Sequence, residues 1–412
     1  MFFLMASVGF ASMLSYAILS DQKTVRLIYD SKQSYLVADS AIEDMTYRYI
    51  AGIPPGATET IKLNGVSATS TSVFSNGTGM YTIASQAVDT NAYRKMTVRL
   101  RMGFGASFNY GLQSGTGGIE MLNSASVVGN VYSNGPVTGA NSNIARGDVV
   151  SAGSSGLISG ITATGSAYAR TIQNSAIGKN AYYQTKISTT VGGVSYPGSS
   201  NQATATLPIS DQMIEAWKDE AAEGGTISGP CPYIINTNTT IGPKKILCDV
   251  EVSGTNKTVN LGGPLWVTGN IIFKNSQTIK VATALGNKTI PIIADNPSNR
   301  LSSSKISAEN SIAFQGSGTA GSYVLVISQN NSAETGGSQV AIDLKNSNSG
   351  ALLAFAGHGM VVLQNNISLK EVAAYKIQLK NSAAVRYESG LANLLFTSGP
   401  GGGYDIVGWK EK

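Results

Sequence analysis

The chain holds one histidine, His358, in the stretch AFAGHGMVVL, and two cysteines, Cys231 and Cys248. A Ser-His-Asp hydrolase would set that histidine beside a G-x-S-x-G nucleophile elbow, and no such elbow accompanies it. Flanked by glycines, His358 reads as a turn residue at a strand corner. One histidine and two cysteines cannot supply the tetrahedral Cys/His set of a zinc site, and the C-x-x-C-H of haem attachment is missing, so no metal is expected. The glycine-rich segments match neither a phosphate loop, nor a dinucleotide fingerprint, nor the calcium-binding G-G-x-G-x-D repeat; no cofactor is expected. Asp249, Glu251, Asp295, Glu309, Asp343 and Glu371 are spread along the second half. Two of them converging on one face would be the raw material of a glycosidase, but the strands carry few charges and the expectation is no enzyme. Cys231 and Cys248 stand 17 positions apart. In an exported chain they pair as a disulfide worth ~3 kcal/mol, the alternative being two unpaired buried thiols.

Stepping out to the whole chain, 412 residues predict two or three domains. Charged residues make up 13% and the net charge is +5 without any Lys/Arg block, which leaves no basic stripe for nucleic acid. Hydrophobic content of 42% excludes disorder, while 47 glycines and long Ser/Thr/Asn tracts suggest exported β-structure.

Residues 1–19, MFFLMASVGFASMLSYAIL, carry no charge and, as a helix, would span about 28 Å at ~1.5 Å per residue, close to a bilayer's hydrocarbon core. No basic n-region marks a cleaved signal peptide. Beyond Asp21, apolar or aromatic residues recur every seven positions at Ile28, Tyr35, Ile42 and Tyr49, with Val25, Ala38 and Met45 on the adjoining row. Gly52 and Pro54-Pro55 stop the pattern. The spacing predicts one helix over residues 1–51.

That helix, with Ser34-Tyr35-Leu36-Val37-Ala38-Asp39-Ser40-Ala41-Ile42-Glu43-Asp44 in its second half, resembles the N-terminus of type IV pilin-like proteins, specifically the PilX-like minor pilins. The resemblance implies a helix that sits in the inner (cytoplasmic) membrane before assembly and packs among copies and other pilins in a filament core afterwards. Phe2, Phe3, Leu4, Met5, Val8, Phe10, Leu14, Ile18, Ile28 and Tyr35 are the residues expected there. Two departures stand out. The family's leader with its peptidase-site Gly is absent, so Met1 is either a processed N-terminus or an unprocessed start. Position 5 is Met5, where major pilins carry a Glu that pairs with a neighbour's N-terminus. A plain membrane anchor is the alternative.

Residues 52–120 contain alternating segments punctuated by Asn64-Gly65 and Asn76-Gly77, which predict a small antiparallel sheet. In 121–208, Gly129, Gly147 and Gly165 each open a short strand, 18 residues apart, with a closer fourth start at Gly178. That period predicts a parallel β-solenoid, in which each coil buries its inner face only by stacking on the next, and it resembles bactofilin-like domains. Residues 209–225 read as a short capping or linker helix, with Met213, Ile214, Trp217 and Ala221 on one face. Residues 226–412 hold many short strands and predict a second solenoid, its last coil closed by Tyr404 and Trp409; the ending GPGGGYDIVGWKEK again resembles the pilin-like family. The expected fold is therefore a long N-terminal α-helix followed by mainly β structure. The expected function is a structural subunit of an extracellular pilus-like filament at the cell surface, a homo-oligomer binding a surface or carbohydrate ligand. A membrane-anchored adhesin or carbohydrate-binding β-helix that never polymerises is the alternative.

Overall fold

The computed structural model describes residues 2–50, 56, 58–75, 80–89, 92–102, 108–388, 391, 394–396 and 404–411. Of α1, it describes the backbone throughout but not the side chains of 2–15, Ala17 and Ile50. The chain divides into two compact units, Met1–Gly103 with Gly403–Lys412, and Phe104–Gly402.

The first unit is built on helix α1 (Phe2–Ile50), with the antiparallel strands β1 (Thr58–Leu63), β2 (Val66–Ser75), β3 (Met80–Val88) and β4 (Tyr93–Met102). Asn64 and Gly65, both with positive φ, make the tight β1–β2 turn that their dipeptide predicts. Alternation then sorts the sheet: Val66, Ala68, Ile83, Ala87, Met96, Val98 and Leu100 face inward and are buried against Val37, Ala38, Ala41, Ile42 and Met45 of the helix. The heptad row read from the sequence is thus the packing stripe, but only from Tyr35 onward.

The fifth strand of this sheet, β8 (Tyr404–Glu411), comes from the far end of the chain and pairs antiparallel with β4, Met102 opposite Tyr404. It was expected to close the last solenoid coil. Pairing with β4 takes it into the first unit instead, so the whole solenoid is an insertion between two neighbouring strands of one sheet.

The second unit is a three-faced parallel solenoid with 12-stranded and 23-stranded sheets among the described residues. The predicted repeat is real: Val131, Val149, Ala167, Ala181 and Ser195 stack in register, with steps of 18, 18, 14 and 14 residues. Both predicted solenoid regions are present, and they form one stack. The chain enters at mid-length with β5 (Leu112–Leu122) and winds to one end at Ser195–Pro197. It returns along the outside and restarts at the other end at Thr226–Ile227. It then winds back through β6 (Leu352–Gln364) and β7 (Glu371–Lys380), until β7 pairs parallel with β5. Residues 112–120, assigned from sequence to the antiparallel region, therefore belong to the solenoid.

One corner of the coils is an asparagine ladder. Asn275, Asn310, Asn346, Asn365, Asn381, Asn123 and Asn141 each have φ between 49° and 63°, and from Asn310 onward each side-chain amide donates to the Oδ1 of the ladder asparagine before it, at 2.9–3.5 Å. Asparagine tolerates the left-handed region and carries both donor and acceptor, so it turns the corner and bonds the coils together. The ladder crosses from Asn381 to Asn123 without a break, through the point where the two chain segments meet.

Helix α2 (Asp211–Glu223), capped by Ser210, lies along the flank and not over a coil end. Met213, Ile214 and Trp217 pack on Ile293, Leu325, Ile327, Leu353 and Phe355, which point outward from the solenoid, and Trp217 meets the Phe396 ring at 4.6 Å. The capping role fails because this outer row is itself apolar and has to be covered. The same outward row continues through Gln113, Tyr132 and Val150 to Tyr168, Tyr182 and Tyr196, where the last three rings stack at 4.6 Å.

Candidate functional site

A run of exposed apolar side chains lies on α1. From Val37 to Met45 the helix has a buried face; from Tyr16 to Tyr29 every described side chain is exposed. Tyr16, Ile18, Leu19, Val25, Leu27, Ile28 and Tyr29 are 49–78% exposed and point in all directions around the helix. Asp21, Gln22, Lys23 and Arg26 stand between them, so apolar and polar side chains share every side of this stretch. Of the residues expected in a filament core, Ile18 (56%) and Ile28 (52%) are exposed as that role requires. Tyr35 is not: it packs against the first unit's own core. Phe2, Phe3, Leu4, Met5, Val8, Phe10 and Leu14 are helical, but their side chains lie outside the described residues. So does most of the apolar stretch expected to enter a membrane; among the described residues no helix is long and apolar enough to cross one.

The solenoid carries chemistry that the sequence scan passed over. His358 is in strand β6, and its two ring nitrogens face carboxylates: Nδ1 lies 2.6 Å from Glu334 Oε2 and Nε2 lies 3.2 Å from Asp211. Burial alone would lower its pKa, but hydrogen bonds to Glu334 and Asp211 outweigh that and raise it. Nearby, Lys218 (3% exposed) bonds to fully buried Asp295 at 2.7 Å and to Glu215 at 2.7 Å, and Arg300 Nε reaches Asp295 at 2.8 Å. Burial would raise Asp295; Arg300 and Lys218 hold it below the usual carboxylate range. These ions tie α2 to the solenoid. Nothing in their spacing in the sequence could have revealed it, since Lys218 and Asp295 are 77 positions apart.

Among the other carboxylates, Asp343 and Glu309 are brought together at one cation, Lys345, at 3.1 and 3.7 Å. Glu251 pairs with Lys274 at 2.9 Å, and Asp249 accepts from the Asn270 backbone at 2.7 Å. Glu371 is different: it is fully buried with neither oxygen hydrogen-bonded, and burial pushes its pKa well above the ordinary value. Among the described residues, no group of three or more His, Cys, Asp or Glu side chains is placed to hold a metal ion. Cys231 and Cys248 form a disulfide, with Cα atoms 5.8 Å apart.

No family model matches the chain, and no curated protein does. Among solved structures, the chain is similar to the competence-associated pilin ComZ from Thermus thermophilus. The match has 10% identity and a TM-score of 0.39, and covers 93% of this chain and 97% of that one. A score of that size does not assign a fold.

Proposed function

We propose that this chain is a structural subunit of an extracellular pilus-like filament, of the minor, PilX-like kind its N-terminus resembles. The first half of α1 is held in the cytoplasmic membrane before assembly and among copies of itself and other pilins afterwards. The solenoid, bactofilin-like in its repeat, is displayed outward at the cell surface, with no catalytic step assigned to it. The observation that carries this reading is the contrast along α1: the half after Tyr35 is packed on its own sheet, while Tyr16–Tyr29 exposes apolar side chains on every side. Enclosure by neighbouring helices removes that surface from water at roughly 25 cal/mol per Å².

Val8→Asp tests the proposal. It would place an unpaired charge in the helix bundle, so filaments containing the subunit should vanish while the β-domains keep their circular dichroism and melting. Unchanged incorporation, scored by electron microscopy of sheared surface fractions, would refute the role given to this helix, and unmodified protein recovered only in membranes would leave a non-polymerising membrane-anchored adhesin as the reading.

A further inference from the structure

Adjacent coils of the solenoid turn the corner between their first two faces in three residues, as at 268–270 between Leu265–Val267 and Ile271–Lys274. Two consecutive coils do not. Residues 295–305 follow Lys288–Ala294, and residues 329–339 follow Val324–Ser328, so each corner carries eleven. The insertions are locked together. Asn331 N donates to Arg300 O at 3.1 Å, and the buried Asn330 side chain donates to Ser303 O at 2.8 Å. Insertions that stack at one corner of a repeat scaffold raise a wall on one face, the usual place for a binding surface.

Beside that wall, on the second face, runs a groove of about 480 Å³ across three neighbouring coils. Its floor is the register row Ile272, Ser307 and Asp343; Lys305, Ser338, Gln339 and Val340 line the wall side, with Lys305 Nζ 3.3 Å from Gln339 Oε1. On the far side, Lys345 neutralises both Asp343 and Glu309. Two lysines and two carboxylates leave the groove with no net charge, two hydroxyl groups (Ser307, Ser338), two amides (Asn270, Gln339) and one apolar side chain on the floor, Ile272.

We propose that this groove binds a short stretch of an uncharged saccharide chain, one ring C–H face on Ile272 and its hydroxyls on Lys305, Ser307, Ser338, Gln339 and Asp343. Three coils at ~4.8 Å spacing give about 10 Å along the axis, room for two pyranose rings. A groove rather than a flat face suits a chain-like ligand, and the charge balance selects against anionic polymers. This inference goes beyond the filament reading and does not depend on it.

Titration calorimetry of the purified full chain with cellohexaose, xylohexaose and chitohexaose tests it. Binding of at least one is expected, weakened tenfold or more by Lys305→Ala and by Ser307→Tyr, which fills the floor, and unchanged by Lys280→Ala on the third face. Matching melting curves establish that the variants are folded. Binding of none of the three, binding that survives both groove variants, or binding only of an anionic polymer such as heparin would overturn the proposal. None of these outcomes bears on filament formation.

Discussion

Two stretches of α1 have similar apolar content and opposite fates. Between Val37 and Met45, the apolar side chains fall on one stripe, and a sheet from the same chain covers them. Between Tyr16 and Tyr29 they are spread around the helix, and none of the described residues covers them. The solenoid treats its own surplus as the first of these does, laying α2 over the outward row at Ile293, Ile327 and Phe355.

The covered rows can be broken. Trp217→Ala should cost about 3–5 kcal/mol and release α2 from the flank, read as a lower denaturation midpoint of the solenoid with faster amide exchange in α2. Ile42→Ala should cost about 2–5 kcal/mol and act on the first unit alone, whereas Ile28→Ala, on the bare stretch, should move the melting of the purified subunit by less than about 0.5 kcal/mol. Glu371 sharpens the comparison from inside a covered row. Its folded pKa lies above its unfolded one, so whatever stability it lends below the unfolded value is lost as pH rises towards the folded value. Glu371→Leu should therefore stabilise the solenoid by roughly 1–3 kcal/mol at pH 7, with the gain shrinking towards pH 4 in urea titrations. The smallest effect belongs to the largest deletion. Replacing 104–402 by a short turn joins β4 to β8 where Met102 already faces Tyr404, and the first unit's melting should hardly change.

Much of this was legible because it rests on local chemistry. The Gly-started period gave the stacking of Val131, Val149 and Ala167, the heptad row gave the packed stripe from Tyr35, and the cysteine spacing gave the disulfide. The order of the coils was not legible. Parallel pairing joins residues such as Ile377 and Ile119, and nothing local to either records the partner. One signal was overlooked: the dipeptides Asn275-Ser276, Asn310-Ser311, Asn346-Ser347, Asn381-Ser382, Asn123-Ser124 and Asn141-Ser142 mark the ladder corner on both sides of the junction, all with positive φ. They were hidden because the coil length between them varies while the corner does not. At the bare stretch, hydropathy showed an apolar helix, and only the position of the sheet shows where its cover ends. His358 was read as a turn residue because its partners, Asp211 and Glu334, arrive from distant elements.

The central claim is that the bare half of α1 is enclosed by neighbouring helices. Thiol-specific cross-linking on intact cells tests it most directly, with single cysteines introduced as Ile18→Cys, Ile28→Cys and, on the solenoid, Thr190→Cys, the native disulfide leaving no competing free thiol. The account predicts covalent dimers and higher species, with copies or with other pilins, from positions 18 and 28 and none from 190. Monomer alone at 18 and 28, in surface fractions that contain the protein, would contradict it.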